Sequence, residues 1–335
     1  MTNTLFYRLS LAATLLALCV IVLGAYVRLS DAGLGCPDWP GCYGQILAPT
    51  AEHEVHQANQ AYPDRPVESH KAWKEMAHRY LASTLGFIIL ILAFLAIKNR
   101  HAPNQALILP LVLVVVVCFQ GALGMWTVTL LLKPAIVTLH LLGGMLTLAL
   151  LTWLTISQKY PDNKRISTVA LRNNWAIFAL VVLCFQITLG GWTSTNYVAL
   201  HCYDLPTCQG EWLPPTDFKE GFKIWREVGI DYEGGVLSVE AGTAVHLTHR
   251  IGAVITLIIV GLLGFLLFRE RNDLLKRLSV ILVILLATQI TLGILNIILV
   301  LPLVIAVAHN GVAALLLVTL VCINRILITK KSQIK

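Results

Sequence analysis

The sequence predicts an all-α integral membrane protein whose eight transmembrane helices form two tandem, pseudo-symmetric four-helix bundles. Hydrophobic residues make up 57% of the 335 residues and charged residues only 13%, whereas a soluble domain usually carries about 25% charged residues. The apolar residues lie in runs near 20 residues long, the length that crosses a bilayer as a helix. Several landmarks also recur once along the chain, at a nearly constant interval.

The apolar runs predict eight spans. The first is interpreted as a helix rather than a cleaved signal peptide, because its apolar run is long and no small-x-small cleavage site follows it. The predicted spans are about 8–27, 77–97, 107–130, 135–155, 173–193, 245–268, 277–299 and 303–323.

The distribution of charge predicts the orientation. With a cytoplasmic N-terminus, the inner segments hold 15 basic and 3 acidic residues, and the outer segments hold 10 basic and 15 acidic residues. Because basic residues concentrate in cytoplasmic loops, we expect both termini in the cytoplasm and the two long loops, 28–76 and 194–244, on the outer side. The net charge of +7 then reflects topology and contact with anionic membrane lipid, and it does not indicate nucleic-acid binding.

Four landmarks indicate an internal duplication. The loop sequences GCPDWPGC and HCYDLPTC are both C-x5-C and lie 166 residues apart. VLGAYVRLS and TLGGWTSTN share that interval, the HR dipeptides at 78 and 249 are 171 apart, and His140 and His309 are 169 apart. We therefore predict an N-terminal bundle (1–160) and a C-terminal bundle (161–335), related by an axis along the membrane normal.

A Gln-x-x-Leu-Gly pattern recurs in the third, fifth and seventh spans. Glycine at such a position lets another helix or a flat ligand approach the backbone closely. Ordinary helix packing remains an equal explanation for any one of these glycines.

Five of the ten histidines lie in or at the edge of a span: His78, His140, His246, His249 and His309. An ionisable residue inside a membrane is costly and marks a functional site by default. A hydrogen bond between helices is the alternative for any single histidine. Four of them, all except His246, fall near the outer ends of even-numbered spans, so each copy presents two histidines at one depth.

This placement predicts a haem in each copy, ligated by two imidazoles from facing helices. Zinc or copper would more often recruit thiolate or carboxylate ligands nearby, and apart from Glu75 the spans offer none at this depth. The predicted axial pairs are His78 with His140 and His249 with His309.

Three arginines are candidate partners for haem propionates, because a planar guanidinium suits a carboxylate. Arg79 and Arg250 follow the first histidine of each pair, and Arg28 follows the first span. Arg28 has no basic equivalent in the second copy, where Ser194 aligns. The alternative for each is an ordinary interfacial anchor.

The copies differ three residues before the first histidine, where one has Glu75 and the other His246. Residues i and i+3 share a helix face, so a carboxylate flanks one predicted haem and an imidazole flanks the other. Because a carboxylate can move protons or stabilise positive charge, Glu75 is the candidate catalytic residue. The alternative is an exposed glutamate paired with Lys71 or Lys74.

The outer loops carry two cysteine pairs. An oxidising compartment favours disulfides, and we expect Cys36–Cys42 and Cys202–Cys208. A redox-active or metal-carrying pair is the alternative.

Together these residues resemble the haem A synthase family along the whole chain: E-x-x-H-R in the second span, H-R in the sixth, and single histidines in the fourth and eighth. The resemblance implies oxidation of a ring methyl of haem O, by successive hydroxylation, to the formyl group of haem A for cytochrome oxidase assembly. It implies haem b at His249 and His309, substrate haem at His78 and His140, and Glu75 as the essential acid. It also implies a haem O synthase as partner, an unidentified electron donor or acceptor, and a place in a bacterial-type cytoplasmic (inner) membrane.

Two other classes of protein fit parts of the pattern. A di-haem b electron-transfer protein would use both histidine pairs without chemistry on the haem, although the difference between Glu75 and His246 argues against two equivalent relays. A haem carrier would be expected to release its haem readily. Four histidines that ligate iron predict tight binding instead and argue against a carrier.

Overall fold

The computed structural model describes residues 4–102, 105–159 and 170–327, and these residues form ten helices. The predicted boundary between the two bundles, at residue 160, lies outside the described residues. The helices are α1 (Thr4–Leu29), α2 (Glu52–Ala61), α3 (Ser69–Lys98), α4 (Ile108–Thr129), α5 (Pro134–Lys159), α6 (Ala170–Thr195), α7 (Phe218–Gly221), α8 (Val239–Phe268), α9 (Asp273–Ile298) and α10 (Leu303–Leu327).

Eight of the helices within the described ranges, all except α2 and α7, are long and apolar enough to cross a membrane. The predicted number of spans and the all-α class are confirmed. Apolar side chains are exposed along the outward faces of these helices, as in Phe87, Phe94 and Val115, which is the expected arrangement where lipid rather than water surrounds the protein.

The long helices pack as two four-membered rings. In the first ring, α1 contacts α3, α3 contacts α4, α4 contacts α5, and α5 returns to α1. The second ring repeats this order with α6, α8, α9 and α10. The rings meet where α10 contacts α1 and α5, and where α5 contacts α6. A hydrogen bond of 3.1 Å between the Thr138 and Thr195 hydroxyls joins α5 to α6 in this interface.

Backbone conformation repeats along with sequence. Among the described residues, the eight non-glycine residues with positive φ form four equivalent pairs: Asp31 and Tyr197, Tyr43 and Gln209, Leu131 and Val300, and Leu132 and Leu301. Gly44 and Gly210 form a fifth pair. Each pair keeps the interval of its neighbouring landmark, 166 residues in the loops and 169 at the α4–α5 and α9–α10 turns. Positive φ is uncommon outside glycine, so these matches support a shared backbone path in the two halves.

Helices α3 and α8 begin well before the apolar runs that predicted them, at Ser69 and Val239 rather than at 77 and 245. The early turns carry polar residues that pack against the long loops instead of lipid. Ser238 caps α8, because its hydroxyl accepts the Ala241 N–H at 3.3 Å. The first histidine of each half therefore lies inside its helix rather than at the end.

The two long loops cover one end of the bundle, which we term the cysteine-loop end. They contact each other through a salt bridge of 2.8 Å between Arg65 and Asp231. The Tyr232 N–H also donates to the carbonyl of Leu131 in the α4–α5 turn at 3.1 Å. The loops thus form a layer that closes over the histidine-bearing ends of the helices.

Candidate functional site

Each ring encloses a cavity that contains one predicted histidine pair. His78 and His140 line a cavity of about 660 Å³ in the first ring. His249 and His309 line a cavity of about 800 Å³ in the second. Both volumes fall in the range of small-molecule and cofactor sites.

The first pair of imidazoles faces across its cavity. The His78 and His140 ring centroids are 6.5 Å apart, with the ring planes at 81°. A metal–imidazole bond is about 2 Å long, so two rings on opposite sides of one metal ion stand about 6 Å apart. The observed separation suits a single ion between the two rings.

A glycine of the neighbouring helix lies against every one of these imidazoles. A Cβ built on the glycine would approach the ring Cε1 atom to 2.8 Å at Gly24 and His78, and to 3.4 Å at Gly124 and His140. The second ring repeats the arrangement at 3.1 Å for Gly190 with His249 and at 3.2 Å for Gly293 with His309. At Gly24, Gly190 and Gly293 the absence of a side chain is what leaves room for the ring, whereas a Cβ at Gly124 would make an ordinary contact.

Glutamine side chains fix three of the histidine positions. Gln120 donates to the His140 carbonyl at 2.8 Å, and Gln186 donates to the His249 carbonyl at 3.0 Å. The amide nitrogen of Gln289 lies 3.1 Å from His309 Nε2. These contacts hold the helix or the ring itself in position beside the cavity.

Three imidazole nitrogens are buried without a hydrogen-bond partner among the described residues: Nδ1 of His78, of His140 and of His309. Buried polar atoms in folded proteins are nearly always satisfied, so unpaired nitrogens in a cavity indicate a missing ligand. Within the described part of the chain, no group of three or more His, Cys, Asp or Glu side chains could hold a bare metal ion. Paired imidazoles, glycine-lined walls and the cavity volumes together fit haem.

Glu75 is buried beside the first cavity, with 5% of its surface exposed. Its Oε2 accepts the Cys36 N–H at 2.9 Å, and its Oε1 lies 2.5 Å from Arg79 Nη2. The alternative of an exposed glutamate paired with Lys71 or Lys74 is wrong. Lys71 pairs with Glu68 at 2.8 Å, and burial removes Glu75 from solvent.

His246 takes the equivalent place in the second half. It is 4% exposed and lines the second cavity. Its Nδ1 accepts the Cys202 N–H at 3.0 Å, just as Glu75 accepts that of Cys36. The substitution therefore preserves one backbone contact while it replaces a carboxylate by an imidazole.

Arg79 and Arg250 line the two cavities and bind the cysteine loops. Arg79 Nη1 donates to the carbonyls of Asp38, Pro40 and Gly41. Arg250 donates to the equivalent carbonyls, those of Asp204, Pro206 and Thr207. These contacts with the loops are compatible with the predicted location of both arginines at the outer membrane interface. The contact of Arg79 and Arg250 with haem propionates stays a prediction.

The cysteines of each loop lie at disulfide-bonding distance. The Sγ atoms are 2.02 Å apart for Cys36 and Cys42, and 1.95 Å apart for Cys202 and Cys208. Both pairs are buried. This agrees with the expected pairing within each loop.

An aspartate two residues after the first cysteine closes each loop. Asp38 accepts the backbone N–H groups of Tyr43 at 2.6 Å and Gly44 at 2.7 Å. Asp204 accepts the Thr207 hydroxyl and the backbone N–H groups of Gln209 and Gly210. These hydrogen bonds, that of Thr207 foremost, lower the pKa of the Asp204 carboxyl below its usual value.

Arg28 lies between the two halves and lines both cavities. Its Nη2 donates to the Ser194 carbonyl at 2.9 Å, and its guanidinium carbon is 3.9 Å from the centroid of the Tyr197 ring. Its Nε is buried without a partner. One N–H of this guanidinium thus remains for a further acceptor.

Several contributors to the site were not predicted from the sequence. Asp38 and Asp204 were not singled out, although they recur at the 166-residue interval within the aligned cysteine loops. The role of the Cys36 and Cys202 backbone N–H groups had no signal in side-chain patterns. The glutamines and glycines did carry a signal, in the repeated Gln-x-x-Leu-Gly pattern.

The fold and the site define a class: polytopic helical membrane proteins with two histidine-bearing four-helix bundles. Residues 7–321 match the family described as cytochrome oxidase assembly protein, COX15-CtaA. The chain belongs to this family.

The similarity to several curated proteins covers nearly the whole chain. A protein of Shewanella oneidensis named "Heme A synthase" is 48% identical over 335 residues, covering 99% of this chain and 99% of the relative. Proteins with the same name from Granulibacter bethesdensis (27% identical, 92% of this chain, 85% of the relative) and Halalkalibacterium halodurans (26% identical, 93% and 94%) are similar as well.

Proposed function

We propose that this protein is a haem A synthase, an oxidoreductase that converts a ring methyl of haem O to the formyl group of haem A by successive hydroxylation. The observation that carries the proposal is the buried carboxylate of Glu75 beside the His78–His140 cavity. The second cavity has His246 in its place. The names of the relatives support the same activity.

The first cavity is the proposed substrate site. His78 and His140 would hold the haem O iron, and Gly24 leaves the space that the His78 imidazole occupies. Arg79 and Arg28 line the same cavity and would meet the propionates. The N-terminal bundle, residues 1–160, would thus be the catalytic half.

The second cavity is the proposed site of a resident haem b, held by His249 and His309 in the C-terminal bundle, residues 161–335. Bound there, haem b would supply one-electron transfer toward the substrate site. Gln186 and Gln289 would orient its two imidazoles through their amide groups. The electron donor or acceptor outside the protein is a further partner of unknown identity.

Glu75 is the proposed catalytic residue. The Cys36 N–H and the Arg79 guanidinium fix both of its carboxylate oxygens, so its position depends little on its own side-chain freedom. From there it would accept a proton released at the reacting methyl or stabilise positive charge that develops on it. The surrounding cysteine loop excludes bulk water from this carboxylate.

The cellular setting follows from the same proposal. The protein would lie in a bacterial-type inner membrane with both termini cytoplasmic and the cysteine-loop end outside. A haem O synthase would supply the substrate, and assembling cytochrome oxidases would receive the product. Surrounding membrane lipid is the remaining partner, and nucleic acid has no role.

Co-expression with a haem O synthase, followed by pigment extraction and chromatography, tests the proposal. The wild-type protein should yield haem A or haem O together with haem B. Haem B alone from a folded preparation would contradict the synthase and favour a di-haem b electron-transfer protein. Glu75→Ala should abolish haem A, and full conversion by that variant would overturn the role of Glu75.

A further inference from the structure

The first cavity extends farther along α3 than the second cavity extends along the equivalent helix, α8. On α3 it reaches Leu90, twelve residues beyond His78, or about 18 Å at 1.5 Å per residue. On α8 the second cavity reaches only Leu257, eight residues beyond His249. Along this one helix the first cavity therefore reaches about one turn farther, and we term the part bordered by Gly86, Phe87, Leu90 and Gly121 the deep extension. On the other three helices of each ring the two cavities end at equivalent positions: Ala17 and Leu183, Val117 and Leu286, and Thr147 and Leu316.

The deep extension opens onto the outer surface of the bundle between α3 and α4. Its walls include Phe87 and Leu90, which are 63% and 50% exposed on the lipid-facing side. On α4, Cys118 and Gly121 also both line the cavity and lie at the surface. A side chain that borders a cavity and the outside at once marks an opening, here within the apolar part of the helices.

The walls of the two cavities differ at two glycines. Gly86 on α3 and Gly121 on α4 line the first cavity, and their equivalents in the second are Leu257 and Ile290, which line that cavity. A Cβ at Gly121 would meet nothing within 4 Å, and one at Gly86 would meet only Val117, at 3.8 Å. Close helix packing therefore does not explain these glycines, and the space that they leave is open.

We propose that the deep extension receives the isoprenoid tail of haem O, which enters sideways from the lipid between α3 and α4. This inference rests on the proposed function. The tail is the apolar group that haem O carries and haem b lacks, and the extension continues directly from the cavity of His78 and His140. In the second cavity, Leu257 and Ile290 fill the equivalent space and select the tail-less haem b.

We expect the two cavities to distinguish haem O from haem b by the room available for the tail and not by attraction to it. Lipid is as apolar as the walls of the extension, so moving the tail from lipid into it gives little hydrophobic gain. A leucine or isoleucine in the path, however, would have to be displaced together with the packing around it. Filling the extension should therefore exclude haem O and leave haem B unaffected.

The test exchanges these residues between the two halves. Gly86→Leu with Gly121→Ile, co-expressed with a haem O synthase, should lower the extracted sum of haem O and haem A per haem B at least tenfold. In titrations of the purified protein, the same variant should bind added haem O at least tenfold more weakly and haem B as before. The matched control is Val115→Leu, a lipid-facing change on α4 that lines neither cavity.

The reciprocal exchange, Leu257→Gly with Ile290→Gly, should let the second cavity accept haem O. Each single variant is measured as well, so that poor folding of one double variant leaves the others to decide. If the wild type binds no haem O or haem A, the proposed function fails. If the wild type binds haem O and the filled and opened variants keep its ratio of haem O to haem B, the proposed function stands and this inference is wrong.

Discussion

Arg28 and Ser194 are equivalent positions of the two repeats, and they are in contact: Arg28 Nη2 donates to the Ser194 carbonyl at 2.9 Å. The contact lies where the two rings meet, and both residues line both cavities. A single positive charge is therefore shared by the two proposed haem sites. No basic side chain occupies the Ser194 position to duplicate it.

Arg28→Gln should lower the midpoint potential of the haem b proposed for the second cavity, on the order of tens of millivolts. A nearby positive charge favours the reduced, less positive state of the iron, and glutamine removes that charge. Redox titration of the purified protein measures the shift. Arg28→Lys keeps the positive charge, so its midpoint potential should stay close to that of the wild type. Arg8→Gln, at the other end of α1, should leave the midpoint potential unchanged. An unaltered potential in Arg28→Gln would remove Arg28 from the electrostatics of the site.

Glu75→Gln should slow conversion of haem O to haem A about 10²- to 10⁴-fold while the protein still binds haem O. The amide oxygen can still accept the Cys36 N–H, so the loop should keep its place, but the charge and the base are lost. Haem O retained per protein and haem A formed are both read from extracted pigment. The control is Glu68→Gln, a surface change in the pair with Lys71. A variant that loses haem O binding and conversion equally would indicate a structural role.

Glu75→His copies the second half, where His246 accepts the Cys202 N–H at 3.0 Å. This variant should fold and bind haem while it forms no haem A, because the imidazole keeps the backbone contact without the carboxylate. Both variants remove the carboxylate that pairs with Arg79, but Glu75→Ala also leaves the buried Cys36 N–H without an acceptor, which should cost a further ~1–3 kcal/mol of stability. Thermal unfolding in detergent compares the two variants. Equal stability of the two variants would show that the contact with the Cys36 N–H contributes little.

Gly190→Ala should weaken haem b binding about tenfold, as the loss of a feature that orients a metal ligand does. The new Cβ would lie 3.1 Å from His249 Cε1 and would push the ring from its position. Gly261→Ala on α8 is the matched control, since its Cβ would meet only Leu286, at 3.8 Å. Both changes raise helix propensity by about 1 kcal/mol, so only the contact with the ring differs. Haem B per protein is the measurement, and equal values for the two variants would contradict the prediction.

The second cysteine loop should loosen in acid. Because hydrogen bonding lowers the pKa of Asp204 in the folded protein, its stabilising effect is complete above the usual aspartate pKa of about 3.9 and is lost as the pH falls through the lower folded value. Hydrogen exchange of residues 202–211, corrected for the intrinsic rate at each pH, measures the opening. Asp204→Asn should open the loop already at neutral pH, and Asp64→Asn should not. Exchange in the wild type that stays protected under acid would exclude this role for Asp204.

Much of the fold could be predicted because its signals are local. Apolar runs gave the number of spans, and recurring motifs matched His78 with His249 and His140 with His309. The starts of α3 and α8 were placed too late because their first turns are polar and pack against loops rather than lipid. The burial of Glu75 was equally inaccessible, since it depends on Cys36 folding back over α3 from 39 residues earlier in the chain.

The sequence by itself determined the class of protein, the duplication and the identity of the four paired histidines, because apolar length and repeat interval are properties of the chain alone. Only the tertiary structure decided that the Cys36 and Cys202 N–H groups meet Glu75 and His246, and that Arg28 faces both cavities. It also decided that Gly86 and Gly121 border open space. These relations depend on how loops and helix seams pack in three dimensions, and a periodic sequence pattern specifies which face a residue occupies but not what packs against it.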